Sequence, residues 1–361
     1  MKSNPILIKH SFAYYLPQYH TIPENDNWWG VGFTEWVNVK RAKTFHPKQI
    51  THLPHPDLGF YDLSNVSVIG KQYEIARKHS IDTFCFWHYW FADNDMLLEK
   101  PAEDLLASNI HVEFCFAWAN HSWYNKSIGK LLKEQKYDYS LSKHFNYLLP
   151  FFKDPRYRKI NNKPVFVIYD HKNCKNILKL KSHFNSELKK NGFDGLFLIL
   201  ENCDDSHPNS KICDLYLNST NFMNFRGLTR KVHDKFKSAL RRFGIRIAGF
   251  YKYRDCVNSF NIKVKHYSNQ IPIVFPGWDT TIRHGKGGIC FLDNTPDIFE
   301  HHLDLVKNIV NQKKDINKRF VFIKSWNEWA EGNFIEPSDK NGYTYLQLFN
   351  EKFNIIDNVN E

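Results

Sequence analysis

The sequence predicts a single α/β domain, a (β/α)8 TIM barrel, and three observations carry that expectation. Eight short apolar runs recur along the 361 residues, separated by longer stretches with helical spacing. All ten tryptophans fall in or just beyond those runs, or in the long loop after the first of them. No linker, repeat or low-complexity tract divides the chain, so residues 1–361 read as one domain with long loops on its active face.

The first strand is expected over residues 6–15, and a tryptophan-rich loop follows it before the helical pattern of 66–79. Residues 83–87 are a short apolar run and read as the second strand, with a helix over 101–108. The third strand, 112–118, is followed by a helix over 142–152, and the fourth, 165–169, by one over 176–191. The fifth to seventh strands, 196–200, 215–218 and 273–275, are the least regular units. Residues 220–270 between them are long, basic and weakly periodic, and read as a helical insertion on the barrel rim. A helix over 297–311, the eighth strand over 320–326 and a last helix over 343–353 complete the rhythm.

Composition narrows the classes of function. Hydrophobic content of 42% and aromatic content of 16% supply a large core and exclude disorder. The formal charge of +11, from 49 Lys and Arg against 38 Asp and Glu, favours anionic partners. The positive residues are scattered except around Arg226, Arg230, Lys231, Lys235, Lys237, Arg241, Arg242 and Arg246. That cluster reads either as solubilising surface or as a contact for lipid phosphate and an anionic membrane. Nucleic acid is not an expected partner, because the aromatic residues are not interleaved with the basic ones. Seven cysteines without a C-x-x-C pair argue for reduced thiols, with Cys85, Cys115 and Cys290 in apolar runs. No segment has the pattern of a signal peptide or membrane span, so a cytoplasmic protein is expected, peripheral to the inner membrane if the basic cluster binds it.

Six stretches at strand ends place hydrogen-bonding side chains beside aromatic rings, the combination a carbohydrate site needs. They supply Tyr14 and Tyr15, then Glu35 and Trp36, then His88 and Tyr89, then Trp118, Asn120 and Trp123. The last two supply Trp278 and Asp279, then Trp326 and Asn327. All thirteen are candidate substrate contacts. The run Phe320-Val321-Phe322-Ile323-Lys324-Ser325-Trp326-Asn327-Glu328-Trp329-Ala330-Glu331-Gly332 adds two carboxylates three residues apart. Glu328 and Glu331 are the candidate catalytic pair; a polar turn with both side chains solvated is the plainer alternative. On a helical turn their Cβ atoms would lie roughly 5–6 Å apart, near the ~5–5.5 Å carboxyl separation of retaining glycosidases.

Other motifs are weaker. Asp93-Asn94-Asp95 has the D-x-D form of metal-binding transferases but lacks their setting. His46, His52 and His55 have loose metal-ligand spacing in a proline-rich loop and read as packing residues. Glu201, Asp204 and Asp205 follow the fifth strand, as part of the crevice or as a solvated loop. Gly285, Gly287 and Gly288 are too irregular for a phosphate loop. Neither a metal nor a cofactor is expected.

The strings Tyr14-Tyr15-Leu16-Pro17-Gln18-Tyr19-His20, Gly32-Phe33-Thr34-Glu35-Trp36, His88-Tyr89-Trp90-Phe91, Leu149-Pro150-Phe151-Phe152-Lys153-Asp154-Pro155-Arg156-Tyr157 and Trp326-Asn327-Glu328-Trp329-Ala330-Glu331-Gly332 resemble the WbsX-type proteins. That family is related to glycoside hydrolase family 99 and occurs in bacterial O-antigen and capsule loci. The resemblance runs from about Phe12 to about Leu346 and implies a (β/α)8 barrel. Glu328-Trp329-Ala330-Glu331-Gly332 matches the E-W-x-E-G pattern of the hydrolases. There the first glutamate acts as base towards the sugar 2-hydroxyl, through a 1,2-anhydro sugar, and the second as general acid/base. The chain departs from the family at His121, where an acidic residue is usual, and at Thr280, where asparagine is common. The resemblance implies cleavage or transfer of an α-linked glycosidic bond on an oligosaccharide or lipid-linked glycan, in cell-surface polysaccharide biosynthesis. The alternative is a catalytically silent glycan-binding barrel.

Overall fold

The computed structural model describes residues 4–125, 128–219, 246–263 and 269–356. Eight parallel strands form the central sheet: β1 (His10–Tyr15), β2 (Thr83–Ala92), β3 (Phe114–Trp118), β4 (Lys163–Ile168), β5 (Phe197–Leu200), β6 (Leu215–Tyr216), β7 (Ile273–Val274) and β8 (Phe320–Ile323). Their spatial order is β6-β5-β4-β3-β2-β1-β8-β7. A parallel bridge between Tyr216 and Gln270 joins the two ends of that path. Tyr216 N donates to Asn269 O at 3.1 Å and Ile271 N to Tyr216 O at 2.8 Å. The sheet therefore curls onto itself, as a (β/α)8 fold requires.

The outer layer holds α1 (Ser67–Lys78), α2 (Lys100–Ala107), α3 (Leu141–Lys153), α4 (Ile177–Lys190), α5 (Tyr253–Lys263), α6 (Pro296–Asn311) and α7 (Thr344–Lys352). Between β5 and β6 the connection is short and carries only a 3-10 turn, Pro208–Lys211. Local chemistry sets several helix ends. Ser140 caps α3 by accepting from Lys143 N, and prolines occupy the first turns of α2 and α6.

The first strand differs from expectation. Residues Ile6–Ile8 leave the barrel and pair in parallel with Phe353–Ile355, and β1 begins only at His10. The second strand runs past Trp87 to Ala92, where Asp95–Leu97 folds back against it antiparallel. The basic cluster from Arg226 to Arg242 lies outside the described residues, and so does most of the insertion expected over residues 220–270. No helix among the described residues is long and apolar enough to cross a membrane.

Strand alternation divides the core into two layers. Phe12 and Tyr14 of β1 turn inward onto Phe322, with centroids 5.3 and 4.5 Å apart. Tyr15 turns outward, and its hydroxyl donates to Gln72 of α1 at 2.6 Å. Both faces are buried, which is why these strands read as unbroken apolar runs. At the N-terminal end of the barrel, Asp82 receives the Ser11 amide at 2.9 Å, the His10 ring at 2.7 Å and Arg158 at 3.2 Å. Burial alone would raise the Asp82 carboxyl, but Arg158 and His10 hold it well below the usual range.

Candidate active site

Inward positions at the C-terminal ends of the strands build the floor of a crevice. Trp87, the last inward residue of β2 before the rim, stacks on Tyr14 with centroids 4.3 Å apart and planes 6° apart. Tyr169, just beyond β4, meets Trp87 edge-on at 5.5 Å. Lys324 follows β8, and its ammonium lies 5.9, 5.7 and 5.9 Å from the ring centroids of Tyr14, Tyr169 and Trp278. It also contacts Glu201 at 3.4 Å and Ser219 Oγ at 3.0 Å. Glu201 is fully buried and receives the Tyr14 and Ser219 hydroxyls as well. Burial works against the Lys324 ammonium, yet Glu201, Tyr169 and the two glutamates above raise its pKa.

The carboxylates stand over this floor. The chain leaves β8, forms the short strand Asn327–Glu328, and turns at once into a 3-10 turn, Trp329–Glu331. Gly332 ends that turn at φ +57°, and a Cβ there would come within 2.9 Å of Asp279 N. This lets the loop pack against the segment after β7, where Asp279 N donates to Glu331 O at 2.6 Å. Arg283, on the short helix Thr281–His284, gathers three acids. Its Nη1 donates to Glu331 at 2.6 Å, and its Nη2 lies 3.2 Å from Glu35 and 3.9 Å from Glu328. Trp87 Nε1 donates to the other Glu328 oxygen at 3.1 Å. Burial, then the charge of Glu331, pushes the Glu328 carboxyl up to about 8 against the pull of Arg283.

The residues singled out in the sequence divide into two groups. Glu328, Glu331 and Glu35 converge on Arg283. Tyr89 is close enough to Glu328 that its hydroxyl, raised first by burial, is raised further by that charge. Trp123 packs edge-on against Tyr89 at 5.0 Å, and Trp278 lies over Lys324. Tyr14 is in the floor. The others hold the surrounding frame. His88 points outward to His144 of α3 at 3.0 Å, and burial lowers its pKa to about 3. Trp118 donates to Trp90 O at 2.9 Å, and Asn120 clasps Asp170 through both its backbone N and O. Asn327 does the same for Leu16, and Trp36 donates to Tyr61 O. Asp279 is engaged by Gln49 and Thr281, and Tyr15 by α1.

Arg283, Lys324 and Tyr169 were not singled out in the sequence, and Trp87 counted there only as one of the ten strand-end tryptophans, not as a candidate contact. Lys324 carried a signal, a lone charge at the end of an apolar strand; Arg283 carried none. Glu336 was also missed. Its buried carboxylate accepts from Trp329 Nε1 at 2.6 Å, Gln72 at 2.6 Å, Tyr61 at 2.9 Å and Trp326 Nε1 at 3.2 Å. Asp93 and Asp95 are spent on Lys143 and Lys133. His46, His52 and His55 do not form a metal-ligand group among the described residues.

A family described as Glycosyltransferase WbsX matches residues 11–349. Two curated relatives, each described as uncharacterized protein WxcX, come from two strains of Xanthomonas campestris pv. campestris. Both are 29% identical over 345 residues, covering 92% of this chain and 48% of the relative. The chain thus spans about half the length of the curated relatives it matches. Among solved structures, a glycoside hydrolase-like protein aligns with a TM-score of 0.61 at 14% identity, over 99% of this chain and 97% of that one. The GH99 endo-alpha-mannosidase from Bacteroides thetaiotaomicron, in complex with BIS-TRIS-propane, aligns at 0.55 and 18%, over 96% of each chain. At these identities the likeness is one of fold.

Proposed function

Because the chain belongs to the WbsX glycosyltransferase family, we propose that it is a carbohydrate-active enzyme that cleaves or transfers an α-linked glycosidic bond, with Glu328 and Glu331 as the reacting pair. One observation supports this above the rest: two carboxylates share one arginine over an aromatic floor, and one of them is pushed up to about 8. Such a pair holds a single proton at neutral pH, the starting state for a site that must give one proton and take another. The roles follow the family resemblance. Glu328, a stronger base than an ordinary carboxylate, would take the proton of the sugar 2-hydroxyl. Glu331 would deliver one to the leaving oxygen. The productive form carries that single proton on the acid, and the pair loses it above about 8, so kcat/KM should fall as pH rises through about 8.

Trp87, Trp123 and Trp278 would supply the stacking surface, with Glu35 and Tyr89 as hydrogen-bonding neighbours. The setting proposed is cytoplasmic assembly of O-antigen or capsule. The acceptor would be a soluble or lipid-linked glycan, the latter favoured if anionic vesicles sediment the protein and neutral ones do not. Glu328→Gln and Glu331→Gln should each lower turnover by at least ~10²-fold on a panel of α-linked glycosides and lipid-linked oligosaccharides. Products separate hydrolysis from transfer. Turnover near wild type in either variant removes that residue from the mechanism. Glycan binding without turnover in the unaltered protein would favour the silent barrel.

A further inference from the structure

Outside the crevice, one group of side chains combines the donor chemistry of a metal site with a convergent arrangement. His171 lies in the loop after β4, and Cys203 and His207 in the loop after β5. One donor atom from each lies within 4.8 Å of the other two, and these are the only such group among the described residues. The two imidazole rings meet edge to face with centroids 4.5 Å apart.

The hydrogen bonds fix how the rings present themselves. His171 Nε2 faces Asn202 O at 3.2 Å, so that nitrogen carries the proton and Nδ1 keeps its lone pair. That Nδ1 points at the Asn209 side-chain amide, 3.1 Å away. His207 Nδ1 accepts from the backbone amide of the same Asn209 at 3.2 Å. Two imidazole lone pairs are thus turned toward donors of one residue, with a thiol beside them. A ring held by a carbonyl on its far nitrogen is the orientation metal-ligating histidines adopt.

We propose that His171, Cys203 and His207 form a binding site for a thiophilic divalent cation of zinc's class, held by one ring nitrogen of each histidine and the Cys203 sulfur. A fourth position would be left to water or a nearby oxygen. Binding would displace the Asn209 donors and release the thiol proton to solvent, so charge balances as one thiolate forms on the cation. The donors would have to close from at most 4.8 Å to the ~3.3–3.8 Å edges implied by tetrahedral zinc bonds. That shift is small for two loops. A ligand set of two neutral imidazoles and one thiolate must be deprotonated to bind, so affinity should weaken as pH falls. One sulfur and two nitrogens select against magnesium and calcium. The consequence would be a staple between two loops, since Tyr169 lies two residues before His171 and Glu201 two before Cys203. A metal here would run against the sequence-based expectation that none is used, and it stands apart from the sugar chemistry.

Titration of the full chain with cobalt(II), then zinc(II), tests it. One equivalent of cobalt should give a thiolate-to-cobalt band in the near ultraviolet with intense tetrahedral visible bands, and zinc should erase both. A large excess of magnesium or calcium should not. Cys203→Ser should abolish the thiolate band. His207→Gln, at a half-buried position that spares the core, should weaken binding by at least ~10-fold. Far-ultraviolet circular dichroism confirms that both variants fold. A cobalt spectrum without the thiolate band, or unchanged affinity in both variants, overturns the proposal.

Discussion

Glu328 is held at a cost. Its carboxyl is raised to about 8 by burial and by Glu331, so its folded-state pKa exceeds the unfolded one. A group shifted in that direction contributes stability in full below the unfolded pKa and loses it as pH rises through about 8. Glu328→Gln removes the ionisation while leaving Glu35 and Glu331 on Arg283. The variant should match the parent near pH 5 and exceed it at pH 9, on the order of 1–3 kcal/mol. Thermal melts across that range check this; a gap that does not widen with pH would show that Glu328 is not strained by its charge. Adjacent residues also show where sequence reading ran out. His88 reads as a candidate contact because it is polar, whereas Trp87 reads only as one of the ten strand-end tryptophans. Strand parity decides otherwise: Trp87 shares the inward face with Tyr14, and His88 faces α3. Parity becomes readable only once the inward residue of a neighbouring strand is known.

At the level of elements, the eighth strand and its loop depend on Glu336. Four donors from the β8 loop, α1 and the segment at Tyr61 converge on one buried carboxylate. Burial pushes its pKa up to about 7, partly offset by those donors. Glu336→Gln keeps the shape but turns an amide N–H₂ toward groups that also donate. At neutral pH it should cost about 2–4 kcal/mol and loosen Trp326 and Trp329, the indoles on either side of Glu328 in the chain. Denaturant unfolding measures the cost, and a loss below about 0.5 kcal/mol would mean the donors find other acceptors. The eight strands were legible because both faces of each are buried, so apolar runs mark them. Glu336 was not, because a carboxylate in a loop looks the same in sequence whether it is solvated or surrounded by donors. The 6–8 segment was misjudged for a related reason, since an apolar run does not reveal which sheet it joins.

Across the whole molecule the two ends of the barrel respond to pH in opposite senses. Asp82, at the N-terminal end, has its folded pKa depressed by Arg158 and His10. Its contribution is present above the unfolded carboxylate range and is lost as pH falls. Glu328 and Glu336, at the C-terminal end, lose theirs as pH rises through about 7 to 8. The stability optimum should therefore lie between, on the mildly acid side of neutrality. Asp82→Asn leaves Arg158 paired with Glu113 alone and should cost about 1.5–3 kcal/mol at pH 7, with the deficit shrinking towards pH 3. Melting curves from pH 3 to 9 test both limbs, and a constant deficit would assign Asp82 a role other than its charge.

The small sheet formed by Ile6–Ile8 and Phe353–Ile355 has a mechanical consequence. Its strands run parallel, in the register Ile6 to Phe353 and Ile8 to Ile355, with Ile356 N donating to Ile8 O at 3.0 Å. Tension applied through the flanking chain would pull the first strand toward its N-terminus and the last toward its C-terminus. The hydrogen bonds between them then lie across the force and share it in shear, instead of opening one after another like a zipper. A pull from either direction would meet this clasp before it reached the barrel.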